Sequence, residues 1–260
     1  MNTCKLIEVN GKPLGGGTLP VIITPLVGKT AEAIHDEVAA IIPKKPDLLE
    51  WRIDFFADIG DAKAVVDTAL SIRKAAAGIP VLLTRRNVSE GGNPIPIAEA
   101  AVVAMYVAAC EAKCVEIIDY ELSNAPADLQ RLREVSKANA ITMIMSYHNF
   151  QLTPDAATLD SKFVAAERLG ADVAKVAVMP KTEQDVLALL AATDRARQNV
   201  GVPLISMSMG GIGSLSRIIG WVYGSAATFA VGKSSSAPGQ IAIEELRTAL
   251  AIVRKAVTGH

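Results

Sequence analysis

Short apolar runs rich in β-forming residues recur eight times along the chain, and nearly every one gives way to an Ala- and Leu-rich segment of helical length carrying Glu, Asp, Lys and Arg on one face. Parallel strands need a long crossover between them, usually a helix, so this alternation predicts parallel strands with crossover helices. The expected strands are Val21–Thr24, Leu48–Ile53, Val81–Thr84, Cys114–Ile118, Ile141–Ser146, Val173–Val178, Leu204–Met207 and Ala227–Val231. The expected helices lie near 30–41, 61–77, 96–111, 127–137, 155–169, 182–197, 214–220 and 239–256, the seventh short and flanked by glycine. Eight such units in 260 residues point to an α/β fold, a closed (β/α)8 TIM barrel forming one domain over 1–260. An open doubly wound sheet is the competing layout, but the first expected turn, ITPLVGKT, has no GxGxxG. Within an N-terminal segment 1–18, residues 4–18 read as a β-hairpin turning at Asn10-Gly11, placed to close the barrel bottom.

Half the residues are apolar but only 4% are aromatic, so Ala, Val, Ile and Leu have to build the core. The 26 basic and 27 acidic residues leave a net charge of −1 and no general basic field for nucleic acid or an anionic membrane. Cys4, Cys110 and Cys114 are too few for a disulfide framework and lack zinc-type spacing; packing is the reading for Cys110 and Cys114, and a reduced, cytoplasmic setting is expected. The start has no apolar h-region, and the longest charge-free stretch, Gln198 to Ser216, is broken by Pro203 and four glycines, so neither export nor a membrane span is expected.

In a barrel, chemistry is carried by side chains at the C-terminal ends of strands, which makes ionisable residues inside or just after the apolar runs informative. Lys175 interrupts ADVAKVAVMP, where desolvation favours a neutral, nucleophilic amine able to form a Schiff base; a lysine paired with a neighbouring carboxylate is the other reading. His148 follows ITMIMS and is the one well-placed general acid/base, because His35 falls in the first helix and His260 is the last residue; a core-satisfying histidine is the alternative. Glu50 and Arg52 alternate with Leu49, Trp51 and Ile53 and so share the inward side, as a structural ion pair or as contacts to substrate hydroxyls. Arg86 and Glu90 occupy a glycine-containing loop at the same end, where alone they would be a solvated pair. The last two units bring SMSMGGIGSLSR, whose Arg217 can hold a carboxylate through two parallel bonds, and KSSSAPGQ, which reads either as an anion-approaching loop or as a flexible loop with a helix cap.

Taken in order, LLEWRID, SEGG, SYHNF, AKVAVMP, SMGGIGSLSR, GSAATFA and SAPGQ resemble the type I 3-dehydroquinate dehydratase family of the shikimate pathway, and the resemblance runs from Val21 to the C-terminus. It implies a (β/α)8 barrel, usually a homodimer, that dehydrates 3-dehydroquinate to 3-dehydroshikimate through a lysine Schiff base with no metal or organic cofactor. By motif, Lys175 is implied as the Schiff-base lysine, His148 as the general acid/base and Glu90 as the carboxylate that orients it. Arg217 is implied to grip the substrate carboxylate, while Glu50, Arg52, Arg86, Ser236 and Gln240 match positions that bind hydroxyls or close over the ligand. The sequence departs from the family at Thr24-Pro25, where a first-strand Ser is common, at Gly211, where many members carry a larger or basic residue, and at Trp221, where an acidic residue is common. Two other readings compete: a Schiff-base barrel of aldolase or transaldolase type cradling a sugar phosphate beside the glycine-rich loop, and a barrel that has lost catalysis and serves as a scaffold.

Overall fold

The computed structural model describes residues 6–15 and 19–259. A two-stranded antiparallel hairpin, β1 (Ile7–Val9) and β2 (Lys12–Leu14), comes first and turns at Asn10 and Gly11, both at positive φ. Residues 4, 5 and 16–18 of the expected hairpin lie outside the described residues, as do Cys4 and His260. Eight strands then form the parallel sheet: β3 (Val21–Leu26), β4 (Leu48–Arg52), β5 (Val81–Thr84), β6 (Ile117–Glu121), β7 (Thr142–Asn149), β8 (Val173–Val178), β9 (Leu204–Ser208) and β10 (Ala227–Val231). A two-residue strand, β11 (Ile241–Ala242), extends β10.

Each neighbour pairs in parallel from β10 through β3 to β9, and the two ends of the row meet where Leu204 bridges Ser225, just before β10. Ser225 seals this seam with its side chain, its Oγ accepting from Ser206 N at 3.0 Å. The curled sheet and its outer helices are a TIM-barrel-type fold, as the alternation predicts. The helices are α1 (Ala31–Ile41), α2 (Ala62–Ala75), α3 (Glu99–Glu111), α4 (Pro126–Ala138), α5 (Ala156–Arg168), α6 (Glu183–Asn199), α7 (Gly210–Ile219) and α8 (Ile243–Thr258). Local chemistry starts several of them. Asp61 accepts from Lys63 N and Ala64 N at the head of α2, and Thr182 with Asp185 forms a capping box on α6.

Strand alternation sorts the core into two compartments. Outward residues such as Leu49, Trp51, Ile118, Tyr120, Met143, Met145, Val176 and Val178 pack under the helices. Inward residues near the strand starts, among them Leu48, Leu82, Ile117, Ile144, Val173, Ile205 and Ala227, plug the barrel, and Val9 and Leu14 of the hairpin join them from below. Above this plug the inward positions turn polar.

Several boundaries differ from the sequence expectation. β6 sits three residues later than expected, because Cys114 still belongs to the turn after α3 and the strand continues through the charged Asp119 and Glu121. β7 runs on to Asn149 and so contains His148. β4 ends at Arg52, with Ile53 in a short 3-10 turn. α7 begins earlier, at Gly210, whereas α8 begins later, leaving Gln240 in the preceding loop.

Candidate active site

The upper barrel holds a cavity, and all nine singled-out residues line it: Glu50 and Arg52 from β4, Arg86 and Glu90 beyond β5, His148 from β7, Lys175 from β8, Arg217 from α7, and Ser236 and Gln240 from the loop before β11. Phe150, Met207, Met209 and Phe229 supply apolar wall. Lys175, 3% exposed, directs Nζ to Asp119 Oδ2 at 2.7 Å, lies 3.8 Å from Glu50 Oε1 and sits over the Phe229 ring at 4.8 Å. The bland reading of this lysine is therefore realised structurally, yet its amine still faces the cavity.

Asp119 was missed by the sequence reading. Its Oδ1 accepts from Ser146 Oγ at 2.5 Å and lies 2.9 Å from Arg86 Nη2. Burial would raise this carboxyl, but Arg86, Lys175 and His148 hold it far below its usual 3.8. Glu121, two residues on, accepts from Arg86 Nη1 and Asn87 N, both at 2.9 Å, and from Asn124 Nδ2 at 3.0 Å. The signal was available: IIDYE alternates its acids with apolar residues in the way LLEWR does.

His148 and Glu90 are coupled. Glu90 Oε2 accepts from both the backbone N and ring Nδ1 of His148, at 2.8 and 3.0 Å. Burial, then the nearby Arg86 and Lys175 cations, push the imidazole well below its ordinary 6.5, so it is neutral at neutral pH. Burial also pushes the Glu90 carboxyl up to about 7, Glu121 adding to the rise while Ser123, Arg86 and the His148 backbone N–H pull the other way. Arg86 and Glu90 are thus buried in the barrel mouth, not a solvated loop pair.

Nor do Glu50 and Arg52 form a pair with each other. Glu50 accepts from Thr84 Oγ1 at 3.0 Å, whereas Arg52 binds Asp54 through Nε and Nη2, both at 2.8 Å, and reaches Ser236 O with Nη1 at 3.3 Å. Arg52 therefore ties β4 to the loop before β11. Gln240 closes that loop on itself, its Oε1 accepting from Ser236 N at 3.1 Å and Nε2 donating to Ser236 Oγ at 3.2 Å.

Arg217 differs from the other buried cations. It is 2% exposed, donates from Nη2 to Pro238 O at 3.0 Å and from Nη1 to Met207 Sδ at 3.7 Å, and among the described residues it has no carboxylate partner and its Nε no hydrogen-bond partner. Burial alone lowers the guanidinium, to about 10, so it remains charged at neutral pH. A buried cation opening on a cavity without a carboxylate partner has the chemistry to hold an anion.

At the first-strand departure, Pro25 shares the level of Glu50 while Thr24 shares the outward level of Leu49, so Thr24 Oγ1 is buried away from the cavity. A Cβ at Gly211 would meet open space, and Trp221 packs against the Ile22 and Ala230 cluster; neither lines the cavity. Cys110 and Cys114 are buried free thiols, burial pushing them up to about 12 and about 11. Among the described residues no group of three or more His, Cys, Asp or Glu is placed to hold a metal ion, and no helix is long and apolar enough to cross a membrane.

Comparison with known proteins follows the same lines. Residues 22–256 match the family model of type I 3-dehydroquinase. A 3-dehydroquinate dehydratase of Albidiferax ferrireducens is 53% identical over 257 residues, covering 99% of this chain and 97% of that protein. The crystal structure of 3-dehydroquinate dehydratase from Geobacillus kaustophilus superposes with a TM-score of 0.95 at 44% identity, covering 98% of this chain and 99% of the other. The type I enzyme from Clostridium difficile, solved with covalently modified comenic acid, superposes with a TM-score of 0.93 at 33% identity over 98% and 99% of the two chains.

Proposed function

The chain belongs to the type I 3-dehydroquinase family and dehydrates 3-dehydroquinate to 3-dehydroshikimate in the shikimate pathway, and from that premise we propose that Lys175 is its covalent nucleophile and His148 its general acid/base. The observation carrying this reading is that the Lys175 amine, the His148–Glu90 pair and the carboxylate-free Arg217 line one cavity.

Seating the substrate carboxylate on Arg217 supplies the counter-ion that the protein leaves out. Lys175 Nζ then attacks the ring ketone, and loss of water leaves an iminium that withdraws electrons from the adjacent carbon. His148, neutral and holding its proton on Nδ1 against Glu90, takes the proton of that carbon with Nε2 and an enamine forms. The enamine collapses, expels the β-hydroxyl, and the same imidazolium protonates the departing oxygen. Hydrolysis of the conjugated iminium frees product and amine. Glu50, Arg52, Arg86, Ser236 and Gln240 line the same cavity, and in this reading they bind the substrate hydroxyls or close over the ligand. The imine is the electron sink, so the reaction as proposed calls for no cofactor.

The Clostridium difficile relative was solved with covalently modified comenic acid, which is in keeping with a covalent route. The sugar-phosphate alternative is not favoured, given full-length identity to named dehydratases. Membership of the family supports a homodimer working in the cytoplasm on a small-molecule substrate, without nucleic acid or membrane as partner. Light scattering that returned the mass of one chain would overturn the dimer.

The test is intact-mass and peptide-mapping mass spectrometry after mixing enzyme, 3-dehydroquinate and borohydride. A substrate-sized adduct on Lys175, absent in Lys175→Ala and present in a slowly turning His148→Ala, is expected. Product formation without any adduct would overturn the covalent route.

A further inference from the structure

Glu90 is held from two sides. While Oε2 faces His148, Oε1 accepts the hydroxyl of Ser123 at 2.6 Å. Ser123 does not line the cavity; it stands in the exposed turn between β6 and α4. That turn is pinned to the barrel: Leu122 N donates to Ser146 O at 2.8 Å, Asn124 N donates to Glu121 O at 3.2 Å, and Asn124 Nδ2 reaches Glu121 O at 3.1 Å. The hydroxyl is thus placed by the backbone of the strand that carries Asp119 and Glu121.

We propose that Ser123 is a positioning residue for the dehydration: by holding Oε1 it keeps Glu90 an acceptor turned toward His148, so that the imidazole proton stays on Nδ1 and Nε2 is free to act as base. The proposal rests on the acid/base role of His148. The charged groups facing Glu90 are Arg86 from beyond β5, Glu121 from β6 and His148 from β7; around the imidazole stand also Arg52 from β4, Asp119 from β6 and Lys175 from β8. Burial and Glu121 favour the protonated carboxyl, and the Ser123 hydroxyl is the foremost of the groups that oppose them. With Glu90 poised near neutrality, losing one hydrogen bond to its charged form moves it through the working range. Protonated on Oε2, Glu90 donates to Nδ1 and puts the ring proton on Nε2, where a base is needed; protonated on Oε1, it is a neutral and weaker acceptor that holds the Nδ1 proton less firmly.

The experiment is the pH dependence of kcat and kcat/KM for the wild type, Ser123→Ala and Ser123→Thr, with His148→Ala alongside. In Ser123→Ala the acidic limb of kcat/KM is expected to rise by about one pH unit, so that the ratio of activity at pH 6 to that at pH 8.5 falls roughly tenfold, with KM little changed. Thr, which keeps the hydroxyl, restores the wild-type limb. Because position 123 is exposed, Ala is not expected to alter the melting temperature. An acidic limb that stays put in Ser123→Ala, or moves equally in Ser123→Thr, would overturn the proposal while a severely slowed His148→Ala left the acid/base reading standing. Turnover in His148→Ala at close to the wild-type rate would overturn that reading and the proposal with it.

Discussion

Asp119 serves three buried donors with two oxygens: Lys175, Ser146 and Arg86 all converge on it. Removing one member of a buried ion pair leaves its partners uncompensated, which typically costs about 3–5 kcal/mol. Asp119→Asn is therefore expected to destabilise the fold by about that amount at pH 7, measured by denaturant unfolding. The pH dependence has a definite sign. Asp119 is held below its unfolded value of 3.8, so its contribution is full above that value and is lost as the pH falls further. The stability gap between wild type and Asp119→Asn should stay constant from pH 8 to pH 5 and close only below about pH 4. A gap that closes already at pH 6 would show that Asp119 is not the ionised partner of Lys175 and Arg86.

Among the elements, β6 shows best where pattern reading reaches its limit. A strand is legible when its inward face is apolar, as at β3 and β9, or when one charge interrupts a long apolar run, as at β8. β6 offers two acids in its last three residues, so the apolar run Cys114–Ile118 marks the turn and strand start and misses the end that matters. Those acids are stabilised inside the barrel by Arg86 and by donors from β7 and β8, contacts far apart in sequence. Outside, Tyr106 of α3 braces the same strands, accepting from Arg85 N at 2.7 Å and donating to Asp119 O at 2.8 Å. The loop before β11 is set by a different device. Gly239 has φ +74, and a Cβ there would lie 2.1 Å from Gly210 O at the head of α7. Gly239→Ala must push this loop off α7, separating Pro238 O from Arg217 Nη2 and from Gly210 N. With two hydrogen bonds of about 1 kcal/mol each disturbed, the melting temperature should fall by a few degrees, and KM for 3-dehydroquinate should rise because Pro238 no longer holds Arg217 in place. An unaltered KM would mean that this loop does not shape the substrate seat.

At the level of the whole molecule, the barrel and the order of its eight units were legible because alternation repeats, and errors of a few residues at one boundary do not disturb the other seven. All nine site residues singled out from the sequence line one cavity; Lys175, Glu50 and Arg52 stand out as charges inside apolar strands, whereas Ser236 and Gln240, in a small polar loop, were named by family resemblance alone. What stayed hidden were pairings. The sequence places Glu50 beside Arg52, but the fold gives Arg52 to Asp54 and sets Glu50 beside Lys175 and Thr84. Such choices depend on strand register around the barrel and leave no trace in local spacing.

The guanidinium of Arg217 ties ligand to folding. A desolvated charge without an opposite number weakens the native state, so the protein alone resembles one half of a salt bridge whose other half arrives dissolved in the buffer. The melting temperature should therefore report carboxylate recognition with no turnover needed: a non-reacting quinate-like acid at a hundred times its Kd adds about 2.7 kcal/mol, while its carboxamide counterpart adds far less. Arg217→Met should reverse the pattern, melting higher than wild type without ligand and failing to respond when the acid is added. A variant that melts lower in buffer and still gains from the acid would place the anion elsewhere.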